Sequence, residues 1–170
     1  MFDVTGQDIS FLSDENLRTL VGRLCEAELR RLGLSPLCAS WGGNQNAADG
    51  GVDVRVTLGK STPLSAAFAH ANIGYQVKAE DMPRGNILAE MKPDGIVRPS
   101  ILELAAASGS YIIVSSKGSV SDSSLAARRR AMRDAIAGIG RVAHPLAFVS
   151  TKLTGGALSL RFLQGRVRCG

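Results

Sequence analysis

The chain is predicted to fold as an α/β domain in which a mixed sheet carries helices on both faces. Three observations predict it. Apolar residues recur at helical spacing over 14–32, a two-residue alternation runs over 52–58 and again over 73–77, and Tyr111-Ile112-Ile113-Val114 is a continuous apolar run of strand length. Helix, strands, helix, strand, helix, strand is the order of a layered α/β fold.

At 170 residues the chain is one domain's worth, long enough to bury a substantial core. Hydrophobic content of 45% and charged content of 21% fit a globular protein and argue against disorder. No apolar run reaches the roughly 18 residues of a membrane span. The amino terminus carries Asp3 and Asp8 in place of a basic-then-apolar leader, so a cytoplasmic location without a membrane partner is expected. Cys25, Cys38 and Cys169 lie far apart with no C-x-x-C, which predicts free thiols and no zinc ribbon or disulfide framework. A formal charge of +5 favours a polyanionic partner.

The first helix is framed by Ser13 as N-cap, Asp14 and Glu15 in its first turn, and Gly33 with Pro36 at its end. Leu17, Leu20, Val21, Leu24 and Leu32 share one stripe, with Glu28 near its middle and Glu26 on the opposite, solvent side. A carboxylate on an apolar stripe needs a cation or hydrogen-bond donors. Glu28 is therefore either a metal-site residue or a rim residue paired with an arginine.

Leu37 to Trp41 predicts a short strand, followed by a Gly/Asn-rich loop to Gly51. Val52, Val54, Val56 and Leu58 are then expected on one face, leaving Asp53 and Arg55 on the other. Gly50 and Gly51 permit a tight turn or close ligand approach ahead of Asp53, whereas Asp49 heads an ordinary Asp-Gly turn. Residues 60–71 read as the connection of a long hairpin. Gly59-Lys60-Ser61 looks like a P-loop tail, but Val54 stands where its leading glycine belongs. Beyond it, Ile73, Tyr75 and Val77 alternate against Gln76 and Lys78. An amide and an amine thus share one strand face, and a hairpin would bring Asp53 to them.

Ile87 to Met91 predicts a short helix, and Pro99 opens another through Ile101, Leu102, Leu104 and Ala105. From Ser121 to about Ile139, Leu125, Met132, Ile136 and Ile139 form a helical stripe. Arg129, Arg130 and Arg133 flank it, as a ridge suited to DNA phosphates or as a solvated face. Leu146 to Val149 predicts the last core strand. The domain is therefore placed at 1–150, with 151–170 as a C-terminal extension that can serve as a linker to a further module. With two histidines, His70 and His144, no H-E-x-x-H or HNH-like cluster forms, and no G-x-S-x-G elbow is present.

Asp49-Gly50-Gly51-Val52-Asp53-Val54 followed by Gln76-Val77-Lys78 resembles the core of the PD-(D/E)xK nuclease superfamily, in particular its Mrr-like branch. In that branch the second acidic position is often Gln, and a glutamate from the first helix joins the site. The resemblance covers roughly residues 13 to 150 and rests on short motifs plus element order; Val52 stands where the proline of the name would be. It implies a restriction endonuclease-like three-layer α/β/α fold with a central mixed sheet. Asp53, Gln76, Lys78 and Glu28 would form the catalytic set. Mg²⁺, or Mn²⁺ in its place, would be held by Asp53, Gln76, the Val77 carbonyl and Glu28. The implied activity is metal-dependent cleavage of double-stranded DNA, as the effector domain of a bacterial anti-phage or restriction system. Such a domain would work as a homo-oligomer, or joined to a regulatory NTPase or sensor module. The competing reading is a catalytically inactive DNA-binding or oligomerisation module of the same fold.

Overall fold

A computed structural model describes residues 5–42, 50–65, 67–118 and 121–137, together with the strand path over 147–150. Asp49, Ile139, His144, Leu146, Cys169 and the proposed extension 151–170 lie outside the described residues. The sheet runs in the order β1 (Ala39–Trp41), β2 (Val54–Thr57), β3 (Asn72–Lys78), β4 (Ser110–Ser115) and β5 (Ala147–Ser150). The first three strands are antiparallel, and β4 and β5 join β3 in parallel, so the sheet is mixed as expected. β3 is the seam between the two halves.

The helices are α1 (Gly6–Ser10), α2 (Asp14–Arg31), α3 (Arg84–Met91), α4 (Pro99–Ala106) and α5 (Asp122–Ile136). Ser13 caps α2 through its hydroxyl, which accepts from the Asn16 amide at 3.2 Å, and Gly33 leaves the helix at φ 71°. Ser121 caps α5 in the same way, and Pro99 occupies the first turn of α4. α1 has no counterpart among the sequence-based expectations. It is a single capped turn in which Thr5 and Asp8 bond reciprocally.

Two apolar clusters sandwich the sheet. On one face, Leu17, Val21, Cys25 and Leu29 of α2 meet Val54, Val56, Ile73, Tyr75 and Val77. On the other, Ile87 and Met91 of α3, Leu104 of α4 and Met132 of α5 meet Tyr111 and Ile113. Every residue of β4 is buried, as its uninterrupted apolar run requires. Among the described residues no helix is long and apolar enough to cross a membrane.

Two details depart from the sequence pattern. Val52 lies in the second cluster, opposite Val54 and Val56, because regular pairing begins only at Val54. On α2 the buried residues are Leu17, Val21, Gly22, Cys25 and Leu29, whereas Leu20, Leu24 and Leu32 are half-buried. The buried arc is thus turned from the expected stripe, and Glu26 is drawn inward. The Trp41 indole donates to Glu26 at 2.9 Å, and Arg23 and Arg30 pair with the same carboxylate. The Trp41 hydrogen bond leads in holding Glu26 below its ordinary 4.5.

That anchored indole lies over Gly22. A Cβ on Gly22 would come within 2.4 Å of the ring, while Arg23 stacks on the indole at 5.0 Å and Glu26 holds its nitrogen. Gly22→Ala gains about 1 kcal/mol of helix propensity, but overpacking against a ring that cannot retreat costs about 1–3 kcal/mol. The substitution is expected to lower the urea midpoint; a midpoint at or above wild type would show that the ring yields.

Candidate active site

Asp53, Gln76 and Lys78 lie where β2 leaves β3. Regular pairing ends with Val54 opposite Tyr75. The Asp53 amide donates to the Tyr75 carbonyl at 2.7 Å, and the Asp53 Oδ2 accepts from the Val77 amide at 2.7 Å. The carboxylate thus stands in for the backbone acceptor that the departing strand withdraws. Asp53 brackets Gln76 on both sides.

Gln76 is 5% exposed, and its Oε1 is buried without a hydrogen-bond partner among the described residues. A strongly polar acceptor left this way is costly, and a cation is one thing that would satisfy it. Lys78 lies two residues on, so strand alternation puts it on the Gln76 face while Tyr75 and Val77 point into the α2 core. Gln76 and Lys78 therefore share one face of β3, and Asp53 bonds the main chain on either side of Gln76 at the strand's edge.

Glu28 is not. Its carboxylate takes two hydrogen bonds from Arg31, at 2.6 and 2.8 Å, and these hold it below its usual range. The α2 residue that reaches Asp53 is Arg18, whose Nη2 lies 2.8 Å from Oδ1, with side-chain exposures of 19% and 9%. Ten residues of helix, about 15 Å, separate Glu28 from Arg18. Glu28 is thus a rim residue paired with an arginine and leaves the expected metal set. Plotted at about 100° per residue, Arg18 falls between Cys25 and Leu29, near the centre of the arc that is actually buried. Counting Cys25 and Leu29 into the stripe would have singled it out.

A second carboxylate arrives from α3. Glu90 pairs with Lys78 Nζ at 2.8 Å and with Arg98 Nη2 at 3.0 Å, and its own side chain is 13% exposed. Sequence inspection passed over it, although its position three residues after Ile87 and one before Met91, both buried, puts it on the inward side of α3. Arg98 also donates to the Glu90 carbonyl at 2.5 Å and lies over Gly51, where a Cβ would meet the arginine at 2.5 Å. Gly51 has φ 83° and Gly50 φ 64°, so both the backbone conformation and the close arginine call for glycine. Tyr111 donates to the Gly51 carbonyl at 3.2 Å, and burial, reinforced by the Glu90 charge, pushes its hydroxyl pKa up and keeps it a neutral donor.

Of the expected DNA ridge on α5, Arg130 and Arg133 are exposed and Arg129 is half-buried. Their neighbour Arg128 turns inward at 5% exposure, bonding Asp81 at 2.5 Å and the Met82 carbonyl at 3.2 Å. Among the described residues no three His, Cys, Asp or Glu side chains come close enough to cage a metal by themselves. Comparison of the chain with protein-family models, curated proteins and solved structures gives no match.

The bare Gln76 oxygen gives a direct expectation. An unsatisfied buried acceptor costs about 1–3 kcal/mol, so Gln76→Met, similar in volume, is expected to stabilise the metal-free protein by about 1 kcal/mol. Urea unfolding in EDTA measures this; a loss of stability would mean that the amide is already satisfied.

Proposed function

We propose that this chain is a metal-dependent DNA endonuclease domain with a restriction endonuclease-like arrangement of its α/β layers. The observation that carries the reading is the orphaned Gln76 oxygen, with the Asp53 carboxylate on the amide of the next residue, Val77, and Lys78 next along the same strand face. Hard oxygen ligands, one or two of them carboxylates with the rest water, suit Mg²⁺ or Mn²⁺. Asp53 and Gln76 would hold the ion, and the Val77 carbonyl would complete the shell. Bound there, the ion would supply an acidified water and stabilise charge on the scissile phosphate.

The chain's own groups do the rest. Asp53 is fixed by the Val77 amide, so its carboxylate is oriented in advance. Lys78 and Arg98 place positive charge beside a phosphate, where charge develops during cleavage. Arg130 and Arg133, with the net charge of +5, supply non-specific attraction to duplex DNA. Cutting both strands requires two such sites, which favours a homo-oligomer or assembly on a regulatory NTPase or sensor module. Control of this kind fits the effector of a bacterial anti-phage or restriction system acting in the cytoplasm.

Supercoiled plasmid with Mg²⁺ or Mn²⁺ is expected to be nicked or linearised by the wild type. EDTA, Asp53→Ala or Lys78→Ala should lower the rate by at least about 100-fold. Binding in a gel shift with the plasmid intact under every metal tested would overturn the assignment.

One observation favours the second reading, a DNA-binding module without cleavage. Arg18 already neutralises Asp53, and Glu90 already neutralises Lys78 and Arg98. The two readings differ in what happens when Arg18 is removed. Losing one partner of a largely buried pair leaves an uncompensated charge, which costs about 3 kcal/mol. In a nuclease, Arg18→Ala is expected to melt lower in EDTA and to recover with Mn²⁺, binding the ion about tenfold more tightly than wild type by calorimetry. In a binding module Mn²⁺ restores nothing.

A further inference from the structure

Glu90 has no part in the D…Q-x-K pattern, yet it is the group that Lys78 meets. It sits on the inward side of α3 in a chain of contacts that starts at the loop before Asp53. Gly51, bare of a Cβ, receives the Arg98 side chain; Arg98 grips both the carbonyl and the carboxylate of Glu90; Glu90 takes the Lys78 ammonium. Two anchors on one residue restrict the Glu90 rotamer, so the oxygen that Arg98 leaves, Oε2, is aimed at Lys78. The groups facing it are Lys78 from β3 and Arg98 from the segment before α4, and its charge also acts on the Tyr111 hydroxyl from β4.

We propose that Glu90 is the positioning residue for Lys78, holding its side chain in one place at the site. Lys78 then places its charge beside the scissile phosphate. The carboxylate absent from position 76 is thereby supplied from α3, where it orders the lysine. The clamp itself stands on geometry alone; its catalytic consequence rests on the nuclease reading.

The test separates the two. Purified full-length protein is labelled with trace acetic anhydride at fixed pH, and acetylation of each lysine is read by mass spectrometry, with exposed Lys60 and Lys117 as internal references. An amine held against a carboxylate is shielded from the reagent, so releasing Lys78 should speed its labelling. Glu90→Gln is expected to raise the Lys78 rate about fivefold relative to the references, with Glu90→Asp closer to wild type. Glu103→Gln, which removes an exposed partner of Arg55, should leave it unchanged. In plasmid cleavage, Glu90→Gln should lower kcat about tenfold with little change in KM, and Glu90→Asp should restore part of it.

An unchanged Lys78 rate in a Glu90→Gln protein whose circular dichroism matches wild type overturns the proposal. If Glu90→Gln does not fold, Arg98→Lys, which keeps a cation but loses the two-point grip, takes its place with the same expected rise and the same disproof. Faster Lys78 labelling in a protein that never cleaves supports the clamp and rejects the nuclease reading. Cleavage whose kcat is indifferent to Glu90→Gln overturns the positioning role.

Discussion

Where β2 separates from β3, the Val77 amide would lose its strand partner, and the Asp53 carboxylate takes that place at 2.7 Å. A charge-assisted bond of this kind contributes about 1.5–3 kcal/mol, and an isolated carboxylate this far from water would cost more than that without a cation. Arg18 supplies one from α2. The helix is tied down a turn earlier as well, where Asp14 accepts from the Ala79 amide at 2.5 Å. One departure from regular pairing therefore fixes the entry into β2, the end of β3 and the seating of α2 on the sheet.

β3 can carry both a core and a site because its two faces differ in kind. Ile73, Tyr75 and Val77 are buried against α2, and the Tyr75 hydroxyl lies near the Cys25 thiol, which burial pushes up to about 12. The other face reads Gly74, Gln76, Lys78. A Cβ on Gly74 would meet Leu104 at 2.7 Å and Val52 at 3.1 Å, so the missing side chain lets α4 and the approach to β2 close over the strand. Closure there leaves the polar end of that face, Gln76 and Lys78, as the rim that α3 reaches through Glu90.

Local chemistry was legible in the sequence; partners across space were less so. The Ser13 and Ser121 caps, Pro99 and the buried β4 follow from spacing rules that act within a few residues. The antiparallel pairing of β2 with β3 was legible as well, but alternation could not be carried back to Asp53, because regular pairing begins only at Val54 and Val52 turns to the opposite face. Helical phase was less secure, because α2 is apolar over a wide arc and Gly22, small enough to admit Trp41, hides part of the buried side. An error of that phase passed over Arg18, whereas Glu28 fails by its position along the helix, where Arg31 takes its carboxylate. Glu90 was missed for a different reason. Its role exists only once α3 folds back over β3, and nothing in a short helix bounded by Pro83 and Pro93 states that approach.

The charges at the rim carry a consequence for how the site would be used. Arg18, Lys78 and Arg98 outnumber Asp53 and Glu90 by one, so the assembled rim is slightly cationic. A divalent ion entering alone would meet one neutral amide, one carboxylate already shared with a guanidinium, and net positive charge. A phosphate diester entering alone would have to compete with Glu90 for Lys78 and Arg98. Entering together, the cation draws on Asp53 and the bare Gln76 oxygen while the phosphate relieves the excess positive charge, so each lowers the cost of binding the other. On the proposed reading, metal and DNA should therefore bind with positive coupling, and that coupling is reciprocal by thermodynamic necessity. A site satisfied by its own ion pairs until both arrive would also be quiet between encounters, which suits a nuclease that shares its compartment with host DNA.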